Sequence, residues 1–345
     1  MIVVAACAKL VARLVQRADR RAWMSLAVVV AVAMTQAQLL ANMGIRLMST
    51  PLDPELGIIP GDVSSLSGQT ALCVGCTKGV GLGISLALRE IGVDVASVGR
   101  SRSTFLKDEK HTRGYDLSTV AGCGDFSEAL KKDGTVYDLV FFTIGAWPDW
   151  KDTHTSDGIE RVFALDLLAR HMLLSQLVKD DLLSQGAVIV NTLAPTQNIP
   201  FMSKTLIKHR LASVANTTKP PTSLFAAIFP IAIAADAWLP AAASHYKGLS
   251  FAAVFPGIVV SDLAKPALPA WAFRLYKAAI KPFAISALDS GYAHLAIAAA
   301  PQVKAKGVSY WNHLREGRFA HHLAYDPDLR LFVWDTLQNR STITT

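Results

Sequence analysis

The residues with the clearest chemical reading are the glycines of Gly75-Cys76-Thr77-Lys78-Gly79-Val80-Gly81, between an apolar run (Thr70 to Val74) and a helix-patterned stretch from Ile84. Glycine permits a tight turn and lets the backbone come close to a ligand. A helix that begins just after such a turn points unpaired N–H groups at an anion. The chemistry on offer is therefore binding of a phosphate or pyrophosphate, with Gly75, Thr77, Lys78, Gly79, Val80 and Gly81 as candidates. Val93 to Val98 restarts a strand and ends at Gly99-Arg100, so the unit reads strand–turn–helix–strand in about 30 residues, the length of a nucleotide-binding βαβ unit.

Charge at the end of that second strand bears on the ligand. A carboxylate there suits a ribose hydroxyl, whereas arginine suits a 2′-phosphate. This chain has Arg100, followed by Ser101 and Arg102, with Lys78 inside the turn. The expected cofactor is NADP, with NADPH preferred over NADH.

The elements that must hold these residues follow in order. Gly114 to Ser118 reads as a short third strand ending in polar residues, Phe126 to Lys132 as a brief helix, and Tyr137 to Phe142 as a buried fourth strand running into Thr143-Ile144-Gly145. Ile159 to Leu183 has long helical periodicity, and Ala187 to Asn191 reads as a fifth strand. Residues 195–222 are basic and polar and read as a surface excursion. Leu224 to Ala243 returns to helix despite Pro230 and Pro240, Leu249 to Phe255 is a sixth strand closed by Pro256-Gly257, Ser286 to Ala300 is a helix, and Asp326 to Leu337 is a terminal helix. Strands alternating with helices predict an α/β fold, a Rossmann-type doubly wound parallel sheet with helices on both faces.

These motifs, in this order, resemble the short-chain dehydrogenase/reductase family over most of residues 68–340. Beyond the glycine turn, Asp116-Leu117 is similar to the family's adenine-contacting pair after strand three. Asp157-Gly158-Ile159-Glu160 followed by Phe163-Ala164 looks like the start of its fourth helix region. Pro256 to Leu263 (PGIVVSDL) is close to the signature after strand six. The closing helix is similar to those of retinol-dehydrogenase-like and fungal uncharacterised members. The resemblance implies NADP(H) binding through the turn residues, Arg100, Asp116, Leu117, Gly145, Pro256 and Gly257, and an oxidoreductase acting on a hydrophobic alcohol or carbonyl compound.

The family's proton-transfer residues are not matched. Its tyrosine falls here on Phe225 or Ala226, its lysine on Phe229 or Pro230, its serine on Leu193 or Ala194 and its asparagine on Asp166. Phenylalanine cannot carry a proton. No catalytic residue is assigned from the sequence, and a catalytically inactive nucleotide-binding or structural accessory subunit of a membrane complex is the alternative. Tyr246-Lys247 reads as a surface loop, Lys204, Lys208 and His209 as a solvated helix face, and His171 as poorly placed to meet Asp166.

Composition sets the remaining bounds. The 345-residue chain is 51% hydrophobic, with a mean hydropathy of +0.32. Its net charge of +7 is concentrated at the start: residues 1–47 hold six Lys/Arg against Asp19, giving +5. Residues 1–47 are expected to form a separate module, a basic helix followed by an apolar segment at 22–43 about long enough to span a bilayer. A signal-anchor, a mitochondrial targeting segment with an anchor, and an amphipathic helix packed on a partner all fit it. The expected location is the endoplasmic reticulum or mitochondrial membrane, or the cytoplasm if translation starts at Met48. Residues 48–67 read as linker. No basic run interleaved with aromatics points to nucleic acid, and a homo-oligomer or a membrane-complex partner is compatible with the chain. Trp271, Phe273, Leu275, Tyr276 and Phe283 among lysines read as a substrate lid, a membrane-facing flap or core. Four cysteines are too few for a disulfide framework, no metal site is expected, and Cys73-x-x-Cys76 reads as two small buried residues.

Overall fold

The computed structural model describes residues 52–101, 112–216 and 223–341. The basic helix and apolar segment expected at 1–47 lie outside the described residues.

Apolar runs form the buried central strands, and shorter polar segments the edges. These are β1 (Thr70–Val74), β2 (Asp94–Gly99), β3 (Thr112–Gly114), β4 (Tyr137–Phe142), β5 (Leu183–Thr192), β6 (Ser250–Phe255), β7 (Val308–Asn312) and the two-residue β8 (Gly317–Arg318). They form one sheet in the order β3-β2-β1-β4-β5-β6-β7-β8. Every pair is parallel except β7–β8. The chain winds outward from β1 in both directions, so its order reverses between β1 and β4. In open α/β sheets such a switch point is where ligands bind, outside the carboxyl ends of the strands.

The helices are α1 (Gly79–Glu90), α2 (Val120–Asp133), α3 (Arg161–Phe163), α4 (Ala169–Lys179), α5 (Lys204–Asn216), α6 (Leu224–His245), α7 (Ala270–Ile280), α8 (Ala287–Ala299), α9 (Pro301–Lys306) and α10 (Pro327–Ser341). A π-helical turn, Ala164–Leu168, joins α3 to α4. Two buried hydrophobic clusters lie on opposite faces of the sheet. One is built around Phe126, Phe142, Phe163, Ile231 and Trp238, the other around Ile84, Leu88, Phe141, Leu295 and Trp311. Alternate residues of one strand, Phe141 and Phe142, supply one cluster each, as the period-2 geometry of a strand requires.

Several expectations need revision. Residues 195–222 are not a continuous excursion: α5 places Ile207, Leu211 and Val214 in the core at helical spacing, and turns Arg210 inward to the buried Glu160. The third strand lies at Thr112–Gly114, just before the expected stretch, because Asp116 turns the chain by accepting from Ser118. Helix α2 starts earlier than the glycines in its first turn suggested, since Thr119 caps it by accepting from Gly122 N at 3.0 Å. Residues 52–67, expected as linker, bury Leu56, Ile59 and Leu66. Strands β7 and β8 were not expected at all.

Among the described residues one helical stretch, Phe225–His245, is long and apolar enough to cross a membrane, but 72% of it is buried in the protein. It is the central helix of one core layer, covered by α5 and α10.

Candidate functional site

Gly75 follows β1 with φ +89°, and a Cβ on it would lie 2.6 Å from Ile144 N, in the segment that leaves β4. A Cβ on Gly81 would lie 2.4 Å from the Thr143 hydroxyl oxygen. Both glycines are therefore required by close approach of the β1 turn to the β4 exit, directly at the switch point. The turn is pinned by Gly75 N and Cys76 N, which both donate to Val98 O (2.8 and 3.2 Å), and by Thr143 N, which donates to Val74 O at 2.8 Å.

Helix α1 begins at Gly79 with no side-chain cap from Lys78. Its first N–H groups thus remain available to an anion, and the partial positive charge of the helix end favours one. Thr77 is buried with its side chain against Gly99, where a Cβ would meet the Thr77 oxygen at 2.6 Å. This fixes the end of β2, so that the exposed Arg100 emerges beside the turn. The loop after β6 returns over the same place: Ser261 comes within 3.6 Å of a Cβ built on Gly79. Pro256 and Gly257 start that loop. Pro256 O accepts from Ser290 Oγ at 2.8 Å, and Gly257, at φ +78°, packs on His313 and Ile285.

The sequence candidates therefore divide. Gly75, Thr77, Lys78, Gly79, Val80, Gly81, Arg100 and Gly145 share the carboxyl edge of the sheet around the switch point. Pro256 and Gly257 shape the loop that covers it. Asp116 lies one strand beyond Arg100 and accepts from the Ser118 hydroxyl at 2.7 Å, while Leu117 is core. The turn, the uncapped helix end and the cation fit the pyrophosphate and ribose phosphate of a dinucleotide.

At the other half of the crevice are residues to which the sequence reading assigned no role. Asp166 sits in the π-helical turn, half-buried, and its Oδ1 accepts from Ala146 N at 3.3 Å. The same oxygen would be 2.4 Å from a Cβ on Gly145, so that glycine is needed for the acid to reach the β4 exit. Desolvation raises the Asp166 carboxyl to about pH 7, although nearby Arg170 pulls the other way. Arg170 is buried one helical turn on. It donates to Ile144 O (2.5 Å), Thr192 O (3.1 Å) and Asn191 Oδ1 (3.3 Å), tying the exits of β4 and β5 together. Burial lowers its pKa to about 10, and its Nε finds no partner. Thr192, at the end of β5, bonds His294 Nε2 at 3.0 Å. Since His294 Nδ1 must donate to the Ser290 carbonyl (2.7 Å), its Nε2 accepts from Thr192. Burial lowers His294 to about 4 and keeps it neutral.

Phe225 and Phe229, at the tyrosine and lysine positions, form an edge-to-face pair with centroids 4.7 Å apart. Tyr246 precedes β6 at the opposite end of the sheet and bonds Ser175 Oγ at 2.8 Å. Lys204 pairs with Asp326, just before α10, and with Asp328 in its first turn. His171 accepts from Trp238 Nε1 at 3.2 Å. Among the described residues no cluster of His, Cys, Asp or Glu is arranged to hold a metal. Cys73 and Cys76, read as two separate buried residues, are joined in a disulfide across the first turn. The glycine at position 75 and the tight backbone reversal bring the two side chains to the same side.

No family model matches the sequence, and no curated protein matches it. Similar solved structures include an uncharacterized protein from Mycobacterium paratuberculosis, at a TM-score of 0.59 and 16% identity, covering 83% of this chain and 97% of that one. A Pseudomonas aeruginosa RhlG/NADP active-site complex matches at a TM-score of 0.49 and 17% identity, over 72% of this chain and 96% of that one. A short chain dehydrogenase family protein from Francisella tularensis matches at 0.49 and 16% identity, over 71% and 96%. With its 3-2-1-4-5-6-7 parallel order and glycine turn at the switch point, the chain has a Rossmann-type α/β fold.

Proposed function

We propose that this chain is an NADP(H)-dependent oxidoreductase acting on a hydrophobic alcohol or carbonyl compound. The observation that carries the reading is the uncapped N-terminus of α1 above Gly75, Gly79 and Gly81, with Arg100 emerging at the end of β2. The first N–H groups of α1 and the Thr77 segment would hold the pyrophosphate, and Arg100 and Lys78 the 2′-phosphate. When bound, NADP(H) supplies or accepts the hydride.

The proton belongs to Asp166 in this reading. A carboxyl raised to about pH 7 is half protonated at neutrality, where a general acid or base is most effective. Its partial exposure leaves it able to exchange that proton. Arg170 holds the β4 and β5 exits in register around it. A membrane tether through residues 22–43 would place the enzyme near apolar substrates.

The Phe225–Phe229 pair supports a second reading, a nucleotide-binding accessory subunit without turnover, because it fills with hydrocarbon the positions that resemblance assigns to proton transfer. Titration of the full chain with NADPH and with NADH separates these from a mere scaffold. Saturable binding with NADPH preferred is expected; no binding of either at millimolar concentration would sink both nucleotide readings. A screen of apolar alcohols and aldehydes on the nucleotide-bound chain then decides between enzyme and accessory subunit.

A further inference from the structure

Helix α7 and the turn after it form a surface that the dinucleotide reading does not use. Trp271, Leu275 and Phe283 are 67, 63 and 74% exposed. Trp271 and Leu275 are four residues apart and so share a face, which Ala278 continues outward. The inward face is also apolar: Phe273 is buried and stacks with Tyr276, which meets Trp147. An exposed stripe of large apolar side chains on a helix whose inner face already packs on protein ordinarily marks a contact with protein or lipid, and this one lies at the surface of the described structure.

The charge around it selects between possible covers. Residues 263–288 contain four cations, Lys265, Arg274, Lys277 and Lys281, and no carboxylate. Lys277 is neutralised by Asp262 at 3.1 Å and lies over the Phe273 ring, while Lys265, Arg274 and Lys281 are exposed. An indole and aliphatic side chains rimmed by cations, on a helix lying along the surface, match the acyl boundary and headgroup layer of an anionic bilayer. We infer that α7 and Phe283 form a second membrane contact, separate from residues 22–43, inserting Trp271, Leu275 and Phe283 into the interface of an anionic membrane. The patch is tied to the β4 exit, because Trp150 Nε1 donates to Ala267 O at 3.1 Å. Docking would therefore hold the covering loops of the crevice against the bilayer.

The test is tryptophan quenching of the full chain by vesicles of brominated phosphatidylcholine, with and without phosphatidylserine, comparing the native chain with Trp271→Phe. The replacement keeps an aromatic at an exposed position, so its melting temperature should be unchanged. Residues 22–43 can hold both proteins on the vesicles without affecting the comparison. With phosphatidylserine present, the native chain should lose more emission than Trp271→Phe, by about one tryptophan in its seven. The difference should shrink several-fold in Arg274→Ser/Lys281→Ser. Equal quenching of the two proteins, absence of vesicle binding, or an equal difference on phosphatidylcholine alone would each overturn the assignment. The first is the outcome if another segment or a second copy covers Trp271.

Discussion

Gly83 of α1 and Gly291 of α8 meet backbone to backbone. A Cβ on Gly83 would lie 1.8 Å from Ala287 O, and one on Gly291 would lie 2.5 Å from Gly83 O. The helix whose free end faces the switch point is thus seated on its neighbour without intervening side chains. Gly83→Ala should push α1 off α8 and cost about 3 kcal/mol or more, since neither partner is a flexible side chain able to move aside. Urea unfolding measures the loss, and nucleotide affinity should fall with it because the turn moves with α1.

Arg100→Asp should weaken NADPH binding about 10- to 100-fold, the range given by a lost charge-assisted hydrogen bond of about 1.5–3 kcal/mol. NADH affinity should hold or improve. Equal losses for the two nucleotides would show that Arg100 supports the loop and does not read the 2′-phosphate.

Asp166→Asn should leave NADPH affinity within about threefold and lower turnover by about 10²–10⁴, the usual range for a general acid or base. The native rate profile should bend near pH 7, where the Asp166 carboxyl titrates, and the variant should lose that bend. A variant with full activity would return the proton to some other group.

Asp236 gives a stability test with a defined sign. Its carboxyl is buried on α6, accepts from the Thr196 hydroxyl, and is raised by desolvation to about 7 from an ordinary 3.8. Its contribution is fully present below pH 3.8 and is lost as pH rises to about 7, because the unfolded chain releases that proton first. Asp236→Asn should therefore gain on the native protein between pH 4 and 8, on the order of a few kcal/mol. His171 and His294, both lowered to about 4, act oppositely, costing stability as pH falls from about 6.5. The native profile should be flatter than either variant class alone.

Glu160 and Arg210 offer a contrast in ion pairs. They lie 3.4 Å apart with side chains only 3 and 12% exposed, and Glu160 also accepts from Phe163 N at 2.9 Å to cap α3. Arg210→Leu strands a buried carboxylate and should cost about 3–5 kcal/mol. Asp328→Ala, which removes a surface partner of Lys208 and one of the two partners of Lys204, should cost about 1 kcal/mol or less.

The parts of this fold that could be read from sequence are those where one physical rule acts alone. β1, β4 and β6 carry uninterrupted apolar runs from Ala71, Leu139 and Phe251 onward, and the glycines between β1 and α1 serve a tight approach. β7 was hidden because Ser309 and Asn312 break its apolar pattern; in the structure Ser309 is satisfied by Trp311 Nε1 at 2.9 Å and Asn312 by Glu316. The spacing of Ile207, Leu211 and Val214 was visible, but the basic residues of α5 outweighed it. Asp166 could be seen only as a mismatch to an expected asparagine. Its tuned acidity depends on a π turn that no pattern in Ala164 to Leu168 announces, and on Gly145, far from it in sequence.

The far edge of the sheet bears on where the domain can be cut. Asp53 N donates to Gly317 O (2.9 Å), Gly317 N to Gly57 O (2.8 Å), and Ile59 N to Arg315 O (3.1 Å). Lys306 grips Asp53 at 2.7 Å, and Leu56 fills the space that a side chain at Gly317 would need. Residues 52–59 thus act as an outer selvedge woven from the front of the domain onto its rear. A fragment starting at Gly68 would keep every residue of the glycine turn but would leave β8 with a ragged, unpaired margin, open to strands of other molecules.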